Sequence, residues 1–143
     1  MIWRQFEGEA MGRRVLDTSI LINHWNRSFK GKSSNQIAKR QAVQCARRLI
    51  ELQDTNAILS PIYVEYLCGP QGAGEVENAR AYLDEFEIVD HGKILPVDWQ
   101  ESKRIAGRVS RSSAPRQMGD CLIRAICNRL NLEPFTRDVR FPR

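Results

Sequence analysis

The sequence predicts an α/β domain built on a mainly parallel sheet. Short apolar runs that suit buried strands alternate with longer segments whose apolar residues recur at helical spacing, and short loops join them. The chain of 143 residues is 42% hydrophobic and 27% charged, which is ordinary for a globular domain with one core. Parallel sheets of this class carry their functional sites outside the carboxyl ends of the strands, so the residues that follow the strands are the candidates for chemistry.

The strands are predicted from apolar runs that end at polar or turn-forming residues. The first run follows two arginines and ends at an acid, and the second leads into Ser60 and Pro61, where proline is well tolerated at the start of a helix. Two apolar runs compete for the third strand, and both stay open. In chain order the predicted strands cover residues 15–17, 57–60, either 86–89 or 94–97, and 132–136.

The helices are predicted from apolar residues three and four positions apart and from start and stop signals. Ser33 or Ser34 begins the second helix, and Asp98 with Glu101 three residues later forms a capping box that begins the fifth. Asn131 closes the sixth helix. In chain order the predicted helices cover residues 19–25, 34–53, 62–68, 75–87, 98–111 and 120–130, with surface loops at 27–36 and 112–119.

The N-terminal residues and the cysteines indicate where the protein works. Residues 1–12 are aperiodic and interrupted by glycine, so we expect a flexible leader before a domain over 13–143. The leader lacks the long apolar core of a signal peptide, and no stretch approaches the ~20 apolar residues of a membrane span. Four cysteines form no CxxC pair, which predicts reduced core thiols of a cytoplasmic protein and leaves a disulfide open.

The chain carries a net charge of +5, and most of its positive charge is arginine. Because a guanidinium binds phosphate through two parallel hydrogen bonds, this excess indicates an anionic partner, with nucleic acid the first candidate. The predicted helix 34–53 contributes four of the basic residues, which form either a solvated face or a phosphate-binding stripe. They are Lys39, Arg40, Arg47 and Arg48.

Four acids occupy related positions in the predicted fold. Asp17 ends the first strand, Glu65 lies on the helix after the second, Asp120 opens the most apolar helix, and Asp138 lies just beyond the last strand. Because the carboxyl ends of parallel strands share one edge of a sheet, we expect the four side chains to converge. Structural interpretations stay open for each acid: a helix cap for Asp17 and Asp120, an ion pair for Glu65, and a turn for Asp138.

Clustered carboxylates repel one another and take up protons unless a cation neutralises them. Mg²⁺ suits such a cluster because it prefers oxygen ligands, keeps several waters and binds through one or two carboxylates plus phosphate oxygens. A site of this kind lowers the pKa of a bound water and orients it to attack a phosphodiester. Other sites find little support, since His24 and His91 are far apart in sequence and the chain has no P-loop, GxGxxG or GxSxG motif.

Four segments resemble the motifs of PIN-domain ribonucleases, especially the VapC-type toxins of toxin–antitoxin modules. In chain order they are VLDTSILI (15–22), SPIYVEYLCG (60–69), DCLIRA (120–125) and FTRDVRF (135–141). They occur in the family's order and together extend over most of the chain. The resemblance implies a PIN-like three-layer α/β/α domain with a mainly parallel central sheet.

The resemblance also implies a function and a set of site residues. It implies catalytic metal ligands at four acids and supporting hydroxyls at three positions: Asp17, Glu65, Asp120 and Asp138, with Thr18, Ser19 and Thr136. It further implies Mg²⁺ or Mn²⁺, endonucleolytic cleavage of RNA such as transfer RNA by a metal-activated water, and a cognate antitoxin that blocks the site. Homodimers are implied as well, with the apolar sides of helices 36–53 or 75–87 as candidate faces.

Two other functions stay open. A PIN fold could bind RNA or protein without cleaving, or it could be an RNA-processing or DNA nuclease outside any toxin–antitoxin pair. Arg124 departs from the small residues usual in relatives and either pairs with Asp120 or faces outward toward RNA. Asp98 lies where relatives often carry an acid, but its capping box accounts for it, so we leave it out of the site.

Overall fold

A four-stranded parallel sheet forms the centre of the fold. The structure is a computed structural model and describes residues 13–70, 72–108 and 116–142. Within this part of the chain the strands are β1 (Arg13–Leu16), β2 (Ala57–Ile58), β3 (Glu87–Ile88) and β4 (Leu132–Phe135). Their order in the sheet is β3-β2-β1-β4, and every neighbouring pair is parallel. The predicted α/β class with a parallel sheet is confirmed.

Helices flank this sheet and connect its strands. They are α1 (Thr18–Ser28), α2 (Lys39–Gln53), α3 (Ser60–Leu67), α4 (Ala73–Leu83), α5 (Pro96–Ala106) and α6 (Met118–Leu130), with a 3₁₀ turn at Ser34–Gln36. Helices α1 to α4 pack against one another, and α5 packs chiefly on α6, which also contacts β4. Helix α6 ends at Asn131, whose left-handed backbone (φ 58°) closes it as the sequence predicted.

The core is built from the apolar faces that the sequence indicated. Val15 and Leu16 of β1 and Ile58 of β2 are fully buried between the helical layers. The apolar sides of α2 and α4 pack together in this core, although Leu52 of α2 is exposed. No helix in the described residues is both long and apolar enough to cross a membrane.

The predicted helix starts at residue 34 and at Asp98 were both wrong. Ser33 caps only the 3₁₀ turn, and the buried Ile37 then adopts an extended backbone that separates this turn from α2. Helix α5 begins at Pro96, which also excludes a strand over 94–97 and leaves β3 as the third strand. Asp98 therefore occupies the third helical position, where its carboxylate accepts the Leu95 N–H at 2.8 Å.

The helix predicted over 98–111 ends earlier, with Gly107 following α5. Residues 109–111 of that prediction and 112–115 of the predicted loop fall outside the described residues, as do residues 1–12 with the predicted leader, while 118 and 119 belong to α6 instead of the predicted loop. All four cysteines are free, as expected, although Cys68 is exposed rather than in the core.

Asp98 forms a buried ion pair that joins α5 to α6. Its side chain is fully shielded and accepts two hydrogen bonds from Arg129, from Nε at 2.7 Å and from Nη2 at 2.9 Å. Burial by itself raises the pKa of the Asp98 carboxyl, but the hydrogen bonds from Arg129 and the Leu95 N–H outweigh it and lower that pKa. The fork geometry makes this the best-formed ion pair in the described part of the chain.

We predict that Arg129→Met lowers the free energy of unfolding at pH 7 by about 3 kcal/mol, because it leaves a buried carboxylate unpaired. A carboxyl with a depressed folded pKa stabilises above its unfolded pKa and loses that contribution as pH falls through the folded value. The gap between wild type and Arg129→Met should therefore narrow below about pH 4, measured by urea denaturation. Lys39→Met, which breaks an exposed pair with Glu77, is the matched control and should cost less than about 0.5 kcal/mol.

Candidate active site at the carboxyl edge of the sheet

Asp17 lies where the central strand β1 ends beside the edge strand β4. It follows β1 directly, and its N–H donates to the Phe135 carbonyl at 2.9 Å, which fixes it to the end of β4. Its Oδ2 accepts hydrogen bonds from Ser19 Oγ at 3.0 Å and Thr136 Oγ1 at 2.8 Å. Its Oδ1 is buried and has no hydrogen-bond partner. A carboxylate only 4% exposed thus presents one satisfied oxygen and one unsatisfied oxygen.

Glu65 reaches this edge from α3. The Thr18 hydroxyl donates to its Oε1, which joins the first turn of α1 to the middle of α3. Its Oε2 lies beside Gly119, where an added Cβ would approach to 3.2 Å. Any larger residue at position 119 would press on the carboxylate, so glycine lets the start of α6 come close to Glu65.

Asp120 stands in the first turn of α6 beside the other acids. Burial raises the pKa of its carboxyl to about 6, with further contributions from the negative charges of Asp17, Glu65 and Asp138, while Arg140 opposes them. These charge effects act over short distances. The four acids that the sequence singled out are therefore electrostatic neighbours in the fold.

Asp138 is held in a tight turn after β4. Its N–H donates to Thr136 Oγ1 at 3.0 Å, and its Oδ1 accepts the Arg140 N–H at 2.9 Å. The Arg140 guanidinium also lies 3.4 Å from Oδ1. The hydroxyl of Thr136 thus links Asp138 to Asp17 through two hydrogen bonds.

Arg124 anchors the C-terminal segment, a contact that the sequence did not predict. Its Nε donates to the Pro142 carbonyl at 2.9 Å, and its guanidinium lies 5.9 Å from the ring centre of the buried Phe141. Among the described residues no ion pair joins it to Asp120. Its contacts hold the segment that carries Asp138 against α6.

The sequence reasoning missed Asp90, a fifth acid at this edge. It follows β3 by two residues, is 4% exposed, and accepts hydrogen bonds from the backbone and hydroxyl of Ser60. The signal that singled out Asp17 was also present at Asp90, because Asp90 follows an apolar run that contains strand β3. The competing strand over 94–97 obscured it.

An open groove of about 460 Å³ lies one helical turn from the acids. Its lining includes Ile22, one turn beyond Thr18 on α1, and Gly69, which follows the end of α3. Trp25, Tyr66 and Lys32 also line it. The groove is thus lined by α1, the end of α3 and α4.

The residues present fit a hard divalent cation. The donors are carboxylate and hydroxyl oxygens, and the buried Oδ1 of Asp17 has no hydrogen-bond partner in the fold and could bind a cation. Within residues 13–70, 72–108 and 116–142, no three acid, histidine or cysteine side chains form a ready-made metal cage. An open edge of this kind suits Mg²⁺, which keeps most of its waters and uses few protein ligands.

A family model described as the PIN domain matches residues 14–143. The chain belongs to the PIN-domain family. No curated protein and no solved structure matched it. PIN domains are typically metal-dependent nucleases, and they usually use divalent metals such as Mg²⁺. In this PIN domain the individual catalytic and metal-binding roles of the seven residues named from the sequence stay predictions.

We predict that Asp120→Asn stabilises the metal-free protein at pH 8. A carboxyl whose folded pKa is raised costs stability once it is ionised, above about pH 6, and costs nothing below its unfolded pKa. After allowance for the partial exposure of the side chain, the gain should be about 1 kcal/mol, or about 3 °C in Tm.

Thermal melts in EDTA at pH 8 and pH 4 measure this effect. The two proteins should converge at pH 4, and Glu51→Gln on the exposed face of α2 serves as the control. Equal Tm values at pH 8 would contradict the crowding of negative charge around Asp120.

Proposed function

We propose that this PIN domain is a metal-dependent endoribonuclease of the VapC toxin type. The observation that carries the proposal is the state of the Asp17 carboxylate, which is buried, fixed through one oxygen and unsatisfied at the other. A purely structural helix cap has no need of a second, buried and unpaired oxygen beside three further acids. A cation-dependent hydrolase needs such an oxygen.

The side chains at this edge would have two roles, to bind the cation and to orient the carboxylates. Asp17, Glu65, Asp120 and Asp138 would hold the cation, which in the form of Mg²⁺ or Mn²⁺ supplies Lewis acidity that activates water and stabilises charge on the phosphate. Ser19 and Thr136 keep the Asp17 carboxylate in one orientation, and Thr18 does the same for Glu65. Fixed donors of this kind reduce the reorganisation that the transition state requires.

RNA is the proposed substrate because of charge at and around the site. The chain has a net charge of +5, and Arg137 and Arg140 are exposed beside the acids. The Arg137 N–H donates to Ser19 Oγ at 2.9 Å, which fixes its backbone at the rim of the site. Arginines at such a rim suit the phosphates that flank a scissile bond.

The toxin assignment adds protein partners to the proposal. A cognate antitoxin would block the edge, and the groove lined by α1, the end of α3 and α4 offers it a further surface. We also propose a homodimer, for which exposed apolar side chains before and within α5 supply one surface: Ile94, Leu95, Val97 and Trp99. The cytoplasm, where RNA and a co-produced antitoxin are present, is the proposed location.

We predict that purified protein cleaves RNA with Mg²⁺ or Mn²⁺, and that Asp17→Asn lowers the rate at least about 100-fold, which corresponds to the loss of about 3 kcal/mol of transition-state stabilisation. Cleavage of a transfer RNA mixture, followed by gel electrophoresis, measures it. Glu51→Gln should match the wild type. Equal cleavage by wild type and Asp17→Asn, or cleavage that persists in EDTA, would contradict the assignment of Asp17 as a ligand of a catalytic cation.

Expression in a bacterial host tests the toxin role separately. We expect growth arrest with the wild type and normal growth with Asp120→Asn, because only the first retains the full acidic edge. Soluble expression of both proteins is the control. Cleavage in vitro without any growth defect would favour a nuclease that works outside a toxin–antitoxin pair.

A further inference from the structure

Both carboxylate oxygens of Asp90 accept hydrogen bonds from a single residue of a neighbouring element. Its Oδ1 accepts the Ser60 N–H at 2.9 Å, and its Oδ2 accepts the Ser60 hydroxyl at 2.5 Å. The side chain is buried, so these hydrogen bonds are shielded from water. Because both oxygens are engaged, Asp90 has a different task from Asp17, whose second oxygen is unsatisfied.

Ser60 is the first residue of α3, the helix that carries Glu65. Leu59 precedes it and has no side chain that could cap the helix, and Pro61 follows it without an N–H to satisfy. Asp90 therefore supplies the side-chain acceptor at this helix start from the end of β3. Core packing of Ile62 and Tyr66 orients the body of this helix, and Asp90 holds its first residue.

The rotation of α3 decides where Glu65 points. Glu65 lies five residues after Ser60, little more than one turn away, so a shift of the first turn moves its carboxylate. That carboxylate accepts the Thr18 hydroxyl through Oε1, and its Oε2 lies against Gly119. The position of Glu65 thus depends on its contacts with Thr18 and Gly119 and on the hydrogen bonds from Ser60 to Asp90.

We propose that Asp90 is a positioning residue of the nuclease, which acts through Ser60 to hold the Glu65 carboxylate toward Asp17 and Asp120. The proposal rests on the proposed function, since it assigns Asp90 a part in that same reaction. Asp90 itself contacts neither substrate nor cation in this role. Its hydrogen bonds with Ser60 set the position of Glu65, a proposed metal ligand little more than one turn further along α3.

A double-mutant cycle with Asp90→Ala and Glu65→Gln tests the proposal. We expect Asp90→Ala to lower kcat about tenfold with little change in KM, and to weaken Mn²⁺ binding about tenfold in calorimetry, as supporting contacts of metal ligands typically do. In the Glu65→Gln background the same substitution should change neither quantity, because its effect passes through Glu65. Ser60→Ala should lower kcat and Mn²⁺ affinity in part, and Ser60→Thr, which keeps the hydroxyl, should have wild-type values of both.

Asp84→Ala is the matched control. Asp84 also accepts a hydrogen bond from α3, from the Tyr63 hydroxyl at 2.6 Å, but does not hold the first turn. General loosening of α3 would make Asp84→Ala as damaging as Asp90→Ala and would overturn the proposal. A fall in Tm with unchanged kcat and Mn²⁺ affinity would overturn it too, as would equal losses from Asp90→Ala in both backgrounds.

Two further outcomes separate this proposal from the proposed function. If Asp90→Ala does not fold, Ser60→Ala, which removes only one of the two hydrogen bonds, takes its place in the cycle. If the wild type neither cleaves RNA nor binds Mn²⁺, the proposed function fails and the positioning role fails with it. If the wild type does both and the cycle shows no coupling, only the positioning role is overturned.

Discussion

The parallel pairing of β1 with β4 is the constraint on which the rest of this PIN domain depends. Leu16 lies opposite Phe135, so the residues that follow both strands emerge side by side at one edge of the sheet. Asp17 is fixed there by the Phe135 carbonyl and by the Thr136 hydroxyl. A one-residue slip would turn Asp17 away from that hydroxyl and separate it from Asp138.

Helix starts and acids coincide at this edge. Asp17 caps α1, Asp90 holds the start of α3, and Asp120 stands in the first turn of α6. The structural and functional interpretations of these acids are therefore compatible, because a carboxylate at a helix N-terminus can satisfy N–H groups and still present an oxygen outward. Asp17 shows this most directly, with one oxygen in each role.

The sequence predicted the parts of the fold that follow from local pattern. Strand ends, the parallel sheet and the neighbourhood of Asp17, Glu65, Asp120 and Asp138 followed from apolar runs and from where polar residues interrupt them. It could not predict contacts chosen by tertiary packing. Arg124 turns to Pro142, and Asp98 pairs with Arg129 thirty-one positions away, because partners distant in the chain become neighbours only in the folded state. Asp90 was missed because two runs competed for the third strand, which left its place at a strand end undecided, and its partner Ser60 lies thirty positions away.

The hydroxyl groups of the edge have a consequence for how its carboxylates are ordered. Thr18, Ser19 and Thr136 hold Glu65 and Asp17 in place by hydrogen bonds that need no bound ion. Helix N-termini supply partial positive charge to the same region. In zinc fingers, by contrast, the ligand sphere assembles only with the metal. Here hydrogen bonds from the protein's own side chains already order part of the acidic edge.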